Sequence, residues 1–159
     1  MLAEIRAEKD KLKALMETAK ELDSDTDSAA ISMTHEYLCV AICGRVEQDI
    51  KTVLIEHSKR KSDAKLERAI ARLCRNFMNP EPTKIIDTLE LFDRDLSRAL
   101  KAEWQEDDSV GSILGQLVGQ RKRIAHQTSS SRHMTATKID EFYRAYLTLL
   151  ERLDRHFLN

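Results

Sequence analysis

The sequence predicts an all-α protein, an up-and-down antiparallel bundle of about five to six helices. Three observations carry this. The 159-residue chain is rich in Leu, Ala, Glu, Lys and Arg and has only four Gly and two Pro, a helix-forming composition. Apolar residues recur three and four positions apart along most of its length, and no stretch alternates convincingly with the period of two that a half-buried strand shows. Most breaks between periodic segments are short, which favours antiparallel neighbours. At this length residues 1–159 read as one domain able to bury a core unaided.

Each helix is marked by its own pattern along the chain. Residues 2 to 22 read as a charged amphipathic helix preceding the core bundle, with Leu2, Ile5, Leu12, Leu15, Ala19 and Leu22 on one stripe. Lys9 interrupts that stripe, which suits a weak seam rather than a stable coiled coil. The run Asp23-Ser-Asp-Thr-Asp-Ser28 breaks the helix and supplies caps for the next one. A long helix over about 29 to 58 places Leu38, Ala41, Ile42, Val46, Ile50, Val53 and Leu54 inward. Ser62 and Asp63 open a third helix with Leu66, Ala69, Ile70, Leu73, Cys74 and Phe77 apolar, and Asn79-Pro-Glu-Pro82 stops it. A fourth helix from Thr83 to Trp104 buries Ile85, Ile86, Leu89, Phe92, Leu96 and Leu100, with Trp104 as an anchor at its end. Asp107-Asp108-Ser109 starts a fifth, with Ile113, Leu114, Leu117 and Val118 apolar. After the loop Thr128-Ser-Ser-Ser131, Thr137-x-x-Asp140 forms a capping box for the last helix. Its apolar side is Ile139, Phe142, Tyr143, Tyr146, Leu149, Leu150 and Leu153.

Charge and cysteine usage narrow the function classes. The net charge of −1 argues against a general nucleic-acid coater. Yet the window from Ser109 to Ile139 contains no Asp or Glu in a chain that is 33% charged. It carries Arg121, Lys122, Arg123, Arg132 and Lys138, a basic island in an otherwise acidic protein, where a phosphate would bind. Cys39, Cys43 and Cys74 are odd in number, form no CxxC and sit in helical apolar patterns, as reduced core residues of a cytoplasmic protein do. No apolar run approaches the roughly 18 residues of a membrane span, and the start of the chain has no signal-peptide pattern. His35, His57 and His156 have no ligand-like partners at helical spacing and are expected at the surface.

The island contains one motif. Leu117-Val-Gly-Gln-Arg121-Lys-Arg-Ile-Ala-His126 places an arginine five positions before a histidine at the end of an apolar helical segment. With the polar loop and final amphipathic helix beyond it, this segment resembles the Arg-x4-6-His signature of the HEPN superfamily. The helix Leu38-Cys-Val-Ala-Ile-Cys-Gly-Arg-Val-Glu47-Gln-Asp-Ile-Lys51 is similar to the long first core helix of the ribonuclease L-PSP-associated HEPN branch, in which a glutamate stands among apolar positions as Glu47 does. The resemblance spans roughly residues 30 to 155.

That resemblance implies a bundle of four or five helices and a homodimer with two Arg/His pairs in one cleft. It also implies a metal-independent endoribonuclease serving as a toxin, in phage defence or in RNA processing, or an inactive relative that binds nucleic acid or protein. The chain departs from the pattern at Lys122, where the family usually carries Asn, Asp or His. It also lacks the His-x-Tyr that nucleotidyltransferase antitoxins modify, because Gln127 and Thr128 come after His126; that form of control is not expected, although an antitoxin or effector partner remains open.

RNA cleavage without a metal needs a base for the ribose 2′-OH, a cation for the phosphorane and an acid for the leaving 5′-oxygen. Histidine exchanges a proton near neutral pH, and arginine offers phosphate a planar fork of donors while staying charged. His126 is therefore assigned as general base or acid and Arg121 as transition-state stabiliser, with 2′,3′-cyclic phosphate and 5′-hydroxyl ends expected. The acid-free window offers no carboxylate cage for a divalent ion, and no cofactor is expected.

On a straight helix five positions turn about 140°, so Arg121 and His126 diverge unless the helix ends or bends near Ala125 or a two-fold axis pairs them. Glu47, Lys122, Arg123 and Arg132 are the supporting or substrate-binding candidates, Glu47 by a buried ion pair to Arg121. Plain alternatives stand beside each role. Arg121 and His126 suit a helix C-terminus in any protein; Glu47 also suits a water-facing boundary; Lys122 and Arg123 also suit a solvated face; Arg132 and His133 also suit an ordinary loop. Besides the enzyme, two readings remain: a catalytically weak HEPN module binding RNA or a partner protein, and a helical interaction domain.

Overall fold

The apolar periodicity folds into helices much as expected in the computed structural model, which describes residues 1–22, 28–61, 64–107, 109–126 and 134–158. Among the described residues there are seven helices and no strand. They are α1 (Ala3–Leu22), α2 (Ser28–Lys61), α3 (Ala64–Asn76), α4 (Pro82–Glu90), α5 (Arg94–Glu103), α6 (Val110–Ala125) and α7 (Ala136–Phe157). No described helix is long and apolar enough to cross a membrane.

The centre of the bundle is the seam between α2 and α7. Leu38, Ile42, Val46, Ile50, Val53 and Leu54 meet Ile139, Phe142, Tyr146, Leu149, Leu150 and Leu153, all buried. Hydrogen bonds run along it. His35 Nδ1 donates to the Met134 carbonyl at 2.9 Å, the Tyr146 hydroxyl to Asp49 Oδ2 at 2.6 Å, and His57 Nδ1 to the Phe157 carbonyl at 3.0 Å. Both sets of numbers ascend together, so α2 and α7 run parallel. α1 runs against both: Lys20 pairs with Asp140 at 3.0 Å, the N-terminal ammonium with Asp154 at 2.8 Å, and Glu8 with Arg45 at 3.8 Å.

Several expectations change at residue level. In α1, Ile5, Leu12, Met16 and Ala19 are buried, whereas Leu15 is 45% exposed, so the stripe drifts by one position after the Lys9 interruption. In α3 only Cys74 is fully covered among the described side chains, while Ala69 and Leu73 face out; Leu66 lies outside the described side chains. His35, expected at the surface, is buried because the start of α7 packs onto it. The three thiols are buried and unpaired.

The expected helix from Thr83 to Trp104 is two helices. Asp93 turns extended at φ −155° and caps α5, its carboxylate accepting from the Asp95 and Leu96 N–H groups at 2.9 and 2.8 Å. A short polar side chain that satisfies two orphan donors outcompetes helix continuation. The Ser97 hydroxyl ties the pair together by donating to the Ile86 carbonyl at 3.1 Å. Trp104 does anchor the end of α5: it lies against Gly111, where a Cβ would come within 2.5 Å of the indole. The cap of α7 also moves. Thr135, not Thr137, accepts from the Lys138 N–H, at 3.3 Å, and Asp140 pairs with Lys20 instead of closing a box.

Candidate functional site

Helix α6 carries the Arg/His motif and starts where Ser109 accepts from the Ser112 N–H at 3.2 Å. Gly111, Leu114, Leu117 and Val118 bury its inner face, and the Cys39 thiol of α2 lies 4.0 Å from the Leu117 carbonyl. The helix stays regular to Ala125, and His126 caps it with its own N–H on the Lys122 carbonyl at 3.1 Å.

Arg121 continues the inner stripe and is half-buried. Its Nη1 donates to Asn79 Oδ1. The Asn79 N–H in turn donates to Glu47 Oε2 at 3.0 Å, and the other oxygen of Glu47 pairs with Lys51 at 2.7 Å. A four-residue relay, Lys51–Glu47–Asn79–Arg121, thus joins α2, the Asn79-Pro80-Glu81 connection and α6. No direct ion pair joins Glu47 to Arg121, contrary to expectation, because Lys51 one turn along α2 takes the carboxylate and Asn79 stands between. Asn79 holds φ 55°, a left-handed conformation that asparagine adopts more readily than most residues.

Electrostatics on the α2 side are set by burial. It pushes the Cys39 thiol up to about 12. Cys43 rises to about 11 although the Arg121 charge opposes the shift. Both remain thiols at neutral pH and make no nucleophile. Lys122, the position where the family pattern is broken, is held by Glu81 at 2.6 Å, and this hydrogen bond keeps the Glu81 carboxyl below its usual range.

His126 is exposed at the helix end. Five helical positions put it about 140° around the axis from Arg121, and the two share no hydrogen-bond partner. The two side chains therefore leave the helix in different directions. Arg123 faces outward and lines a groove of about 680 Å³ with Gln116, Gly119 and Gln120 of α6 and Thr135 and Lys138 at the start of α7. Arg132 and His133 lie outside the described residues. Among the described residues no three His, Cys, Asp or Glu side chains gather as metal ligands would.

Sequence reasoning missed Asn79, which read only as a helix stop. Asn directly before Pro, in a segment too short to hide, was the available signal for a special backbone position. It also missed the groove, because its two walls come from separate helices, α6 and the start of α7.

Comparison with known proteins places the chain in a family. No curated protein and no solved structure gives a significant match. The family model described as RiboL-PSP-HEPN matches residues 3–159. This match covers α1 to α7, and the chain belongs to the RiboL-PSP-HEPN family.

Proposed function

We propose that this chain is a metal-independent endoribonuclease that works as a homodimer, with Arg121 and His126 as its reacting pair. The observation that carries the reading is the way Arg121 is held. Its partner is a neutral amide, Asn79, and the nearby Glu47 carboxylate is matched by Lys51. An arginine fixed by an amide keeps its whole charge for an anion, whereas one fixed by a carboxylate is already neutralised. The guanidinium is thus oriented in advance and stays available for a phosphorane. His126 stands exposed at the end of the same helix, where it can exchange a proton with solvent and substrate.

The angle between the two side chains calls for a second copy. A two-fold axis beside the C-terminal end of α6 would set the His126 of each protomer toward the Arg121 of the other, and supply both a base and an acid. RNA is the substrate of this reading, in the cytoplasm, with a toxin or phage-defence effector as its biological setting and an antitoxin or effector protein as a further partner.

A second reading, a catalytically weak module that binds RNA or a partner protein, is favoured by one feature. Glu81 engages Lys122 and puts a carboxylate beside the motif. Cleavage of total RNA in EDTA decides between them. Wild type should leave 2′,3′-cyclic phosphate ends, and His126→Ala and Arg121→Ala should each lower the rate by about a hundredfold or more while staying folded. Binding without cleavage selects the module; neither binding nor cleavage removes RNA from the account.

A further inference from the structure

Helix α6 contains three glycines, and they differ in what surrounds them. Gly111 is required by Trp104, whose indole leaves no room for a Cβ, and Gly115 lies 3.5 Å from the Pro82 ring. At Gly119 a Cβ would meet nothing within 4 Å. Glycine inside a helix is less stable than alanine, and nothing among the described residues calls for its small size at this position.

The space beside Gly119 is the groove between α6 and the start of α7. Arg123 and Lys138 contribute two cations to it, and no Asp or Glu is among its described lining residues. Gln116 and Gln120 add side chains that both donate and accept hydrogen bonds. Among the described lining residues buried Met134 is the only large apolar one, so these residues do not offer the aromatic and aliphatic anchors of a protein-binding surface. Lys138 is steadied by Glu141 and packs 5.5 Å from the centre of the Phe142 ring. Its ammonium has three donors, so one carboxylate leaves others to offer. On a helix Gly119, Arg123 and His126 stand at i, i+4 and i+7, along one face over two turns. The groove therefore leads along α6 toward His126 and away from the side where Asn79 holds Arg121.

We propose that this groove is the seat of a single-stranded RNA segment: phosphodiester oxygens lie on Arg123 and Lys138, a base lies over Gly119 between Gln116 and Gln120, and the strand continues to His126. The inference rests on RNA being the ligand of the function proposed above. The volume of the groove falls within the roughly 300–1,000 Å³ of ordinary ligand sites, and cations beside the space left open by Gly115 and Gly119 suit a backbone with a flat base attached.

The test uses a fluorescent 2′-O-methyl RNA of about ten nucleotides, within the roughly 4–16-nucleotide footprint of single-strand sites. This RNA lacks the nucleophilic hydroxyl, so binding is read without cleavage. Fluorescence anisotropy is measured on wild type, Gly119→Leu, the Arg123→Ala/Lys138→Ala double variant, and Arg98→Ala, which removes an exposed cation of α5 as a control. Gly119→Leu puts an apolar side chain into the groove at a position where a Cβ meets nothing within 4 Å and should weaken binding about tenfold or more. The double variant should weaken it and reduce the slope of log K against log salt by about 1.4, as the loss of two phosphate contacts to a single strand requires. Arg98→Ala should bind as wild type does. Circular dichroism and melting check that each variant is folded.

Unmodified RNA is incubated in parallel in EDTA. If wild type binds and cuts while folded Gly119→Leu and the double variant match it, the strand runs elsewhere: the groove is overturned and the nuclease reading stands. If binding depends on the groove but nothing is cut, the groove stands and the nuclease reading falls. If wild type does not bind RNA at all, both fall. If the variants change only self-association, the groove seats a second copy and the proposal is wrong.

Discussion

Asn79 joins two functions that are separable by substitution. Its N–H holds Glu47, its Oδ1 holds Arg121, and its φ is 55°. Asn79→Gly keeps the backbone donor and suits the left-handed conformation but removes the acceptor. Asn79→Ala removes the acceptor and adds backbone strain of about 1–2 kcal/mol. Under the proposed mechanism both variants should cut RNA about a hundredfold more slowly, since misplacing a positioned group by about 1 Å has that effect. Only Asn79→Ala should also melt measurably earlier. Single-turnover rates with paired melting curves check this; full activity in Asn79→Gly would show that the amide does not position Arg121. The inward position of Arg121 was legible in the sequence because the apolar stripe that it continues is local. Asn79 was not, since 42 residues separate it from its partner and no periodic pattern marks such a contact.

At the scale of helices, the core-facing residues were legible almost throughout α2 and α7, where long apolar periodicity leaves one inward side. Boundaries were less so. Asp93, Thr135 and Thr137 are all plausible caps by residue type; which of them acts depends on where the chain must turn to pack. The structure gives a direct comparison within one turn. Thr135→Ala removes the hydroxyl that accepts from the Lys138 N–H and should lower unfolding stability by about 1 kcal/mol. Thr137 is exposed inside the first turn of α7, so Thr137→Ala should change stability by less than about 0.5 kcal/mol. Urea denaturation of the two variants measures the difference, and equal effects would contradict the cap assignment. α3 shows the opposite limit: its apolar stripe is real, but too few neighbours cover it, and Leu73 stays 40% exposed.

Across the whole molecule, one buried polar knot binds three helices. Asp49 of α2 is 1% exposed and accepts from Arg45 and from Tyr146 of α7, while Arg45 reaches Glu8 of α1. Burial raises the Asp49 carboxyl above its ordinary value of 3.8, outweighing the opposing pull of Tyr146 and Arg45. The native state thus holds this proton more tightly than the unfolded chain does. The stability Asp49 contributes is fully present below pH 3.8 and is lost as pH rises through the higher folded value. Asp49→Asn cannot titrate, so the stability of wild type relative to this variant should fall from acid toward neutral pH. Urea midpoints of both proteins across that range test it, and a difference independent of pH would show that the carboxyl is not raised. Sequence reading placed Val46 and Ile50 in the core but not Asp49 between them, because a charged residue gives no apolar signal and its partner Tyr146 is 97 residues away.

The parallel seam between α2 and α7 also orders events during synthesis. Its contacts join residues 97 to 100 positions apart, and α7 supplies the last 22 helical residues of the described chain. Until those residues are made, the side of α2 that faces α7 has no cover, and α6 lacks one of the helices that it packs against. Closure of the core therefore waits for α7 rather than progressing helix by helix. A nascent chain carries the complete Arg/His motif, and the Asn79 relay that holds Arg121, before α7 is there to close the other side of α6.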